Sequence, residues 1–303
     1  MPGYDLRFAE PEAGFQDPDR AGVDRPGQAR AVVVPFGLEA SVSYGTGTAR
    51  GPAAILAASQ QLELFDEELW REPYRDFGIA TLETPDIVDG MAPALDQLEA
   101  IVETIVASGA FPLVLGGEHA LTAGAVRPLA RRHEDLVVLQ IDAHADLRDG
   151  YLGEHFSHAS AMRRVLDLPG CSVVALGIRA ICEEEARFIE AAGDRVTLFW
   201  AHDQEAWDLE ALRGRLAGRS IYLTFDVDGL DGSEMPATGT PMPGGLSYYR
   251  ALDIIRLAAG AGTIVAADVV ELAPIDGFHA YDFTAAAIAN KILNYALSGT
   301  ARR

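Results

Sequence analysis

Residues 135–146 read DLVVLQIDAHAD, an apolar run followed at once by Asp142, His144 and Asp146. A continuous run of Val, Leu and Ile of this length is typical of a buried strand in a parallel sheet. In an open α/β sheet, ligands bind in the crevice beyond the carboxyl ends of the strands. The stretch therefore predicts a parallel α/β fold, with three ligand-type side chains at the edge where such folds bind their ligands.

Two other segments repeat this arrangement of an apolar run followed by acidic or imidazole side chains. FPLVLGGEH (111–119) ends in His119, and SIYLTFDVD (220–228) ends in Asp226 and Asp228. One such match alone is weak evidence for a metal, because acidic residues after strands often only cap the next helix. Three matches in one chain instead predict a shared metal centre, built from His119, Asp142, His144, Asp146, Asp226 and Asp228.

The composition of this ligand set indicates which metals it would hold and what they would do. Four converging carboxylates repel each other unless cations neutralise them, and a set of this size suits two divalent ions. The mostly oxygen shell favours Mn²⁺ over metals that seek thiolates, although Ni²⁺ also fits. Two metals lower the pKa of a shared water and so supply hydroxide at neutral pH. Apart from Arg148, no basic cluster adjoins the ligands to bind phosphate, so we expect attack on a carbonyl or guanidinium carbon.

The remaining pattern predicts a parallel sheet covered by helices on both faces. Apolar runs predict eight strands, at 31–36, 78–82, 112–116, 136–141, 172–177, 196–200, 220–225 and 263–270. Apolar residues at helical spacing predict helices that include 52–66, 89–108, 246–259 and 283–297. Residues 1–29, rich in Pro, Gly and Asp, predict an irregular arm. Residues 30–303 are expected to form a single catalytic domain, because the motifs that must meet are spread across them.

Taken together, these motifs resemble those of the ureohydrolase family, which comprises the arginases, agmatinases and their relatives. The segment DLRDGYLGEHFSHASAMRR (146–164) is most similar to the agmatinase-type branch, since arginases have an Asn- and Ser-rich loop there. Glu118 stands where many members carry Asp, a change of one methylene outside the inner ligand shell of the family. The other matching segments run in family order: VPFGLEASVSYGTGTARGPAAILAAS (34–59), GGEH (116–119), DAHAD (142–146), FDVDGLDGSEMPATGTPMPGGLS (225–247) and DVVEL (268–272).

The resemblance implies a three-layer α/β/α fold with a central, mostly parallel eight-stranded sheet. It also implies two Mn²⁺ ions per chain and a homo-oligomer, either a trimer or a hexamer. In such a centre Asp142 and Asp226 would bridge the two ions. One site would be completed by His119 and Asp146, and the other by His144 and Asp228.

Three residues are candidates for catalysis in addition to the metals. Glu271 follows the apolar run TIVAADVV, so it should enter the same crevice and pair two nitrogens of a guanidinium. A salt bridge or helix cap explains Glu271 equally well from the residues alone, and the family pattern favours the substrate role. His158, in SHAS, would hand a proton to the leaving amine, and Asp146 would accept a hydrogen bond from the nucleophile. Other histidines are expected on loops or the surface, namely His133, His155, His202 and His279.

The substrate is expected to be a small cationic guanidino compound, with agmatine, cleaved to putrescine and urea, as the leading candidate. Asp149, Glu154 and Glu185 are acidic residues near the predicted crevice that would accept hydrogen bonds from an amine at the far end of the substrate. Aminopropylagmatine is a close alternative. Arginine, guanidinobutyrate, guanidine itself and a larger guanidino compound stay open.

Composition excludes several other classes of function. The 303-residue chain carries a net charge of −21, which disfavours nucleic acid and anionic membranes as partners. This charge suits a cationic substrate, and solubility or adaptation to salt explains it equally well. No apolar run approaches the roughly 18 residues of a membrane-spanning helix, and the first thirty residues lack a secretory pattern. Two cysteines, Cys171 and Cys182, indicate neither a disulfide framework nor a zinc site, so we expect a cytoplasmic protein.

Two different classes of protein stay as alternatives. A regulatory, metal-binding member of the family without turnover should have lost a ligand or Glu271, and this chain retains them all. A deacetylase on a related fold would use one zinc and a pair of adjacent histidines, which this chain lacks. Release of urea from a panel of guanidines distinguishes these classes from a ureohydrolase.

Overall fold

The structure, a computed structural model, describes residues 3–20 and 26–300. At its centre is one eight-stranded sheet with the order β2-β1-β3-β8-β7-β4-β5-β6, in which every neighbouring pair is parallel. This confirms the predicted parallel sheet, and the strands agree closely with their predicted positions. They are β1 Ala31–Phe36, β2 Ile79–Thr81, β3 Phe111–Gly116, β4 Leu136–Ile141, β5 Cys171–Ile178, β6 Val196–Trp200, β7 Ser220–Asp226 and β8 Thr263–Val270.

Helices cover both faces of the sheet. They are α1 Gly51–Ser59, α2 Tyr74–Phe77, α3 Met91–Ala107, α4 Thr122–Ala130, α5 Ala161–Leu166, α6 Glu183–Ala192, α7 Leu209–Leu216, α8 Tyr248–Ala261 and α9 His279–Ser298. Alternate side chains of a strand point to opposite faces. In β1, Val32 and Val34 pack with α3, α4 and α5, whereas Ala31 and Val33 belong to the core formed with α1, α8 and α9. The predicted three-layer α/β/α fold is therefore confirmed.

Two helices differ from their predicted bounds by more than two residues at one end. The apolar pattern predicted a helix over 52–66, but α1 ends at Ser59. The chain then forms a turn around Asp66, whose Oδ1 accepts hydrogen bonds from two backbone N–H groups and whose Oδ2 pairs with Lys291 at 3.1 Å. The C-terminal helix begins at His279, four residues before the predicted start at Phe283. The first difference has a long-range cause, because Lys291 lies on α9.

The N-terminal arm lies against the sheet. Its described residues contain a 3₁₀ turn at Pro11–Ala13, and residues 21–25 lie outside the described part of the chain. Phe15 is fully buried, and its N–H donates to Thr81 Oγ1 at 2.9 Å. The N–H of Gln16 donates to Ser59 Oγ at 2.9 Å. The arm is thus fixed to β2 and to the end of α1.

The four strands in the middle of the sheet carry the motifs that the sequence singled out. These strands are β3, β8, β7 and β4, neighbours in that order, and their carboxyl ends lie along one edge of the sheet. Cys171 is buried and Cys182 is half-buried, and both are free thiols. Over the ranges 3–20 and 26–300, no helix has the length and apolar character needed to cross a membrane.

Candidate metal centre and active site

A cavity of about 240 Å³ opens at the carboxyl ends of the central strands. Parallel strands bring their ends together at one edge, so residues distant in sequence converge there. Five of the six predicted metal ligands line this cavity, and Asp142 lies directly behind them, fully buried. The lining includes His119, His144, Asp146, Asp226, Asp228, Glu271, His158 and Glu185.

The first ligand group surrounds His119, which is buried in the turn after β3. Its Nδ1 lies 3.1 Å from Asp142 Oδ2, 3.0 Å from Asp146 Oδ2 and 3.4 Å from Asp226 Oδ2. None of these contacts has hydrogen-bond geometry, so Nδ1 is a buried polar atom without a partner. A nitrogen lone pair among three carboxylate oxygens is the donor set of a divalent cation.

A second group shares Asp142 with the first. It consists of Asp142, His144 and Asp228, whose ligand atoms all lie within 4.8 Å of one another, as do those of His119, Asp142 and Asp146. Nδ1 of His144 lies 3.0 Å from Asp228 Oδ2 and 3.6 Å from Asp142 Oδ1. Two adjacent ligand groups joined by one carboxylate fit a pair of ions better than a single ion.

Several neighbouring groups fix the orientation of these ligands. Nε2 of His119 lies 2.8 Å from Thr224 Oγ1, a contact that leaves Nδ1 facing the carboxylates. Gln140 Nε2 donates to Asp142 Oδ2 at 2.7 Å. Such outer partners set the tautomer and angle of a ligating imidazole and hold ligating carboxylates in place. Gly229 lets the ends of β7 and β4 approach, because a Cβ there would lie only 2.8 Å from the backbone nitrogen of Asp142.

Two residues of the site adopt a left-handed backbone that non-glycine residues seldom take. Asp146 has φ 52° and Glu271 has φ 65°. Such conformations cost on the order of 1 kcal/mol or more and cluster at functional sites. Glu271 is held by the N–H of His119, which donates to its Oε1 at 2.7 Å, and by its own N–H, which donates to the carbonyl of Gly117 at 2.8 Å.

The buried carboxyl groups of the site have raised pKa values. Burial, together with the charge of Asp142, raises the pKa of Asp146 to about 7. Burial raises the pKa of Glu271 to about 8, and burial and the charge of Asp228 raise the pKa of Asp226 well above its ordinary value. Each of these carboxyls resists ionisation because burial removes water from it and neighbouring carboxylates repel a further negative charge. The residues present therefore fit a pair of divalent ions.

His158 borders the same cavity from a 3₁₀ turn at His158–Ser160. Its Nδ1 lies 3.2 Å from Ser41 Oγ, and its Nε2 lies 3.4 Å from Ser43 Oγ. Its ring stands edge-on to Tyr151, with centroids 6.1 Å apart. Burial lowers the pKa of His158 to about 4, so its imidazole is neutral at pH 7.

The three predicted acceptors for the far end of the substrate have different positions. Glu185 is buried at the cavity, where its carboxylate accepts from the N–H groups of Leu147 and Cys182. Asp149 is directed to solvent, with 62% of its side chain exposed, and forms an ion pair of 2.7 Å with Arg164. Neither Asp149 nor Glu154 is among the residues that line the cavity.

Local contacts hold Glu154 and His155 away from the cavity. Glu154 Oε1 accepts from the N–H of Phe156 at 2.9 Å and so closes a turn of the loop. The ring of His155 contacts the guanidinium of Arg164. The expectation that Asp149 and Glu154 meet the substrate therefore needs correction, because Asp149 pairs with Arg164 of α5 and Glu154 is engaged within its own loop. His202 and His279 are exposed, and His133 is half-buried beside Ser220.

Sequence reasoning assigned no role to three residues that the structure brings to the site or directly behind it, although it noted Arg148 and Glu118 as neighbours of the motifs. Arg148 lines the cavity with its guanidinium 4.7 Å from the ring centroid of Tyr151. Ser41 and the buried Glu118 lie behind His158. The position of Arg148 two residues after Asp146 was a usable signal. No local signal joined Ser41 to His158, since these residues are 117 positions apart.

Comparison with known proteins agrees with this geometry. The family model described as "Arginase family" matches residues 29–297. The N(1)-aminopropylagmatine ureohydrolase of Synechocystis sp. is 40% identical over 277 residues, which cover 88% of this chain and 89% of that protein. The agmatinase of Bacillus cereus is 34% identical over 254 residues, which cover 82% of this chain and 85% of that protein.

Solved structures give the same result. The agmatine ureohydrolase of Thermoplasma volcanium superposes with a TM-score of 0.80 at 28% identity, covering 90% of this chain and 91% of that one. Proclavaminate amidino hydrolase from Streptomyces clavuligerus has a TM-score of 0.83 over 99% of this chain and 100% of that one, and at 24% identity it bears on the fold alone. With a family model matched over most of its length and relatives above 30% identity, the chain belongs to the arginase family.

Proposed function

We propose that this protein is a metal-dependent ureohydrolase that releases urea from the guanidino group of a small cationic substrate, with agmatine as the first candidate. The observation that carries the proposal is the pair of His/Asp groups that share Asp142. These groups face the same cavity as Glu271, in a chain of the arginase family. Amine and urea would be the products.

The proposed metal ligands are the members of these two His/Asp groups together with Asp226, whose Oδ2 lies 3.4 Å from His119 Nδ1. One ion would be held by His119 and Asp146, the other by His144 and Asp228, with Asp142 and Asp226 shared between them. The oxygen-rich set supports Mn²⁺, and Ni²⁺ fits the same donors. When bound, two such ions lower the pKa of a water molecule so that it becomes a nucleophile near neutral pH.

Glu271 is the proposed partner of the guanidinium. Its Oε1 accepts one hydrogen bond from His119 and keeps a second lone pair, and Oε2 is also able to accept. A carboxylate can therefore pair with two guanidinium nitrogens at once. The arriving cation would also lower the pKa of Glu271, which burial, together with the charge of Glu118, raises to about 8. Binding of the substrate and ionisation of Glu271 would support each other.

His158 is the proposed proton carrier. Because its pKa is lowered to about 4, the ring is neutral at pH 7 and must first accept a proton before it can give one away. The proton released by the attacking water is the natural source, and the leaving amine is the natural destination. Asp146, a proposed metal ligand, would accept a hydrogen bond from the nucleophile.

N(1)-aminopropylagmatine is a second candidate substrate because of the names of similar proteins. Relatives named for that substrate are 38–40% identical to this chain, whereas relatives named agmatinase are 32–34% identical. Glu185, a buried acidic residue at the cavity outside the proposed metal ligands, would meet an amine on either compound. Both reactions would supply amines to polyamine synthesis.

We also propose a cytoplasmic homo-oligomer, a trimer or hexamer as the resemblance implies. The two free cysteines suit a reducing compartment. Trp70 and Tyr249, with 68% and 70% of their surface exposed, offer apolar area for contact between subunits. Light scattering on the purified chain would give its mass in solution.

Urea release tests the proposed function directly. The metal-stripped protein would be loaded with Mn²⁺, Ni²⁺ or Zn²⁺ and offered agmatine, aminopropylagmatine, arginine, 4-guanidinobutyrate and guanidine. We expect no urea without metal and the highest kcat/KM with Mn²⁺ and a substrate that ends in an amine. If none of these guanidines yields urea with any metal, the alternative of a metal-binding protein without turnover replaces this proposal.

A further inference from the structure

A fully buried carboxylate lies behind His158, on the side away from the cavity. Glu118 has no exposed surface. Its Oε1 accepts from the N–H of Ala40 at 3.1 Å, and its Oε2 accepts from the N–H of Ser41 at 2.8 Å and from Ser41 Oγ at 2.9 Å. Backbone N–H groups can only donate, so Glu118 acts as an acceptor towards this loop.

The hydroxyl of Ser41 has three polar neighbours and only one proton. A serine hydroxyl donates once and accepts twice. Its proton is engaged by Glu118 Oε2, so its two remaining contacts must donate to it. These contacts are the backbone N–H of His158 at 3.0 Å and Nδ1 of His158 at 3.2 Å. Nδ1 must therefore carry a hydrogen.

The neighbouring serines do not change this assignment. Ser157 Oγ lies 3.4 Å from Nδ1, farther than Ser41 Oγ at 3.2 Å, so the contact with Ser41 is the stronger of the two. Ser43 Oγ lies 3.4 Å from Nε2, at an exposed position where water competes for the same atom. The short chain from the buried Glu118 through the half-buried Ser41 thus decides the state of the ring.

We propose that Ser41, held by Glu118, is a positioning residue that fixes His158 in the tautomer with hydrogen on Nδ1 and leaves the lone pair of Nε2 facing the cavity. This inference rests on the proposed role of His158 as proton carrier. A neutral ring of this tautomer accepts a proton at Nε2 without rotating. The hydrogen bond from Nδ1 to Ser41 persists in the charged ring. Nε2, the nitrogen that accepted the proton, can therefore also deliver it onward.

Glu118 and Ser41 have a simpler structural role as well, since the two backbone N–H groups tie residues 40 and 41 to Glu118. The substitution Ser41→Ala separates the two roles. It removes Oγ, and with it the contact to Nδ1, while both backbone hydrogen bonds to Glu118 remain. Ser41→Thr restores a hydroxyl, and Ser298→Ala, at the end of α9, is a matched control for loss of a serine Oγ.

The test has two readouts. Histidine-labelled protein loaded with diamagnetic Zn²⁺ would report by ¹H–¹⁵N NMR which ring nitrogen of His158 carries hydrogen, the signal being assigned by its loss in His158→Ala. We expect hydrogen on Nδ1 in the wild type and a mixture of tautomers in Ser41→Ala. With Mn²⁺, Ser41→Ala should lower kcat about 10–100-fold at unchanged KM and metal content. Ser41→Thr should recover most of this loss, and Ser298→Ala should show none.

Either of two results overturns the inference: hydrogen on Nε2 in the wild type, or wild-type kcat in Ser41→Ala. These outcomes are separate from failure of the proposed function, because the NMR readout needs no turnover. If no guanidine is hydrolysed while His158 carries hydrogen on Nδ1, the proposed reaction fails and the positioning by Ser41 stands. If urea is released and Ser41→Ala is fully active, only the positioning fails.

Discussion

The backbone N–H of His119 donates a hydrogen bond of 2.7 Å to Oε1 of Glu271, joining residues 152 positions apart. The turn after β3 is thereby fixed to the residue that follows β8. Because Glu271 also has a left-handed backbone with φ 65°, its position depends on this contact. His119, a proposed metal ligand, and Glu271, the proposed partner of the guanidinium, thus hold each other in place. Their roles can be separated only by a substitution at Glu271 that keeps the shape of the side chain and its hydrogen bond to His119.

Glu271→Gln is that substitution. The amide oxygen can still accept from His119, but the negative charge that would pair with a guanidinium is lost. We expect two metals per chain to remain and kcat/KM to fall at least about 100-fold, the usual scale for a lost stabilising group at the transition state. Metal analysis and steady-state urea release measure both effects. Glu83→Gln, an exposed control, should change neither, and near-normal kcat/KM in Glu271→Gln would refute its role.

The ligand groups predict different metal losses for different substitutions. Asp142 belongs to both groups and His119 to one. Asp142→Ala should therefore weaken the binding of both ions, whereas His119→Ala should mainly empty one site. Elemental analysis after Mn²⁺ saturation measures the occupancy, with Asp135→Asn on the surface as control. A single ion at full occupancy in the wild type would contradict the two-metal arrangement.

Thr224, the hydrogen-bond partner of His119, should affect metal affinity although it is not itself a proposed metal ligand. Thr224 Oγ1 lies 2.8 Å from His119 Nε2, and Thr224→Val keeps the shape while removing this partner. Loss of such an outer contact typically weakens metal affinity about 10–100-fold. Competition with a calibrated chelator would measure the change in Kd. Unchanged affinity would mean that packing alone fixes the ring of His119.

The raised pKa values predict that the metal-free protein loses stability as pH rises. The pKa of Asp146 is raised to about 7 and that of Glu271 to about 8, so the native state holds more protons than the unfolded state between the ordinary and the raised values. Stability then falls as pH rises through this range. We expect the Tm of the metal-free chain to fall by at least about 2 °C from pH 6 to pH 8, roughly 1 kcal/mol for a chain of this size.

Mn²⁺ should reverse this trend, because metal binding displaces the same protons and gains strength as pH rises. Glu271→Gln removes one of the titrating groups and serves as the matched control, and its metal-free Tm should fall less than that of the wild type. A metal-free Tm that rises from pH 6 to pH 8 would show that these carboxyls ionise freely in the native state.

Substrate preference tests the role of Glu185. Agmatine, arginine and 4-guanidinobutyrate differ chiefly in the charge at the end far from the guanidino group. A carboxylate facing the buried Glu185 would be wrongly paired, at a cost of several kcal/mol, so we expect agmatine or its aminopropyl derivative to exceed arginine in kcat/KM by about 100-fold or more. Glu185→Gln should narrow this ratio. A preference for 4-guanidinobutyrate would instead indicate that Arg148, on the cavity wall, receives a carboxylate.

Much of the fold was predictable because its strands are continuous apolar runs in a sheet buried on both faces. LVVLQI, for example, becomes β4 at Leu136–Ile141 as expected. The end of α1 was not predictable from local pattern. The segment after Ser59 is apolar enough to continue a helix, but Asp66 forms a turn and an ion pair with Lys291 on α9. The contact that holds this turn joins positions 225 residues apart, which a local pattern does not describe.

In the candidate site, too, some residues were predictable from the sequence and others were not. The residues after β3, β4, β7 and β8 were predictable as neighbours, since parallel strands place their carboxyl ends together. Residues on the connecting loop were not. Asp149 and Glu154 have the right charge and are close in sequence to Asp146, yet Asp149 pairs with Arg164 and Glu154 caps its own turn. Loop side chains depend on local partners whose geometry no spacing rule describes.

The order of the strands also places the metal ligands in the part of the sheet that is least prone to local opening. The three strands that precede the metal ligands (β3, β4 and β7) and the strand that precedes Glu271 (β8) are hydrogen-bonded to neighbours along both edges, while the sheet ends in β2 and β6. Local opening favours segments with few contacts, such as a three-residue edge strand like β2, over the centre of a sheet. Fraying at either edge therefore leaves the ligands in register. Separation of these strands requires the centre of the sheet to open, so we expect the strand ends that carry the site to stay together until the sheet itself unfolds.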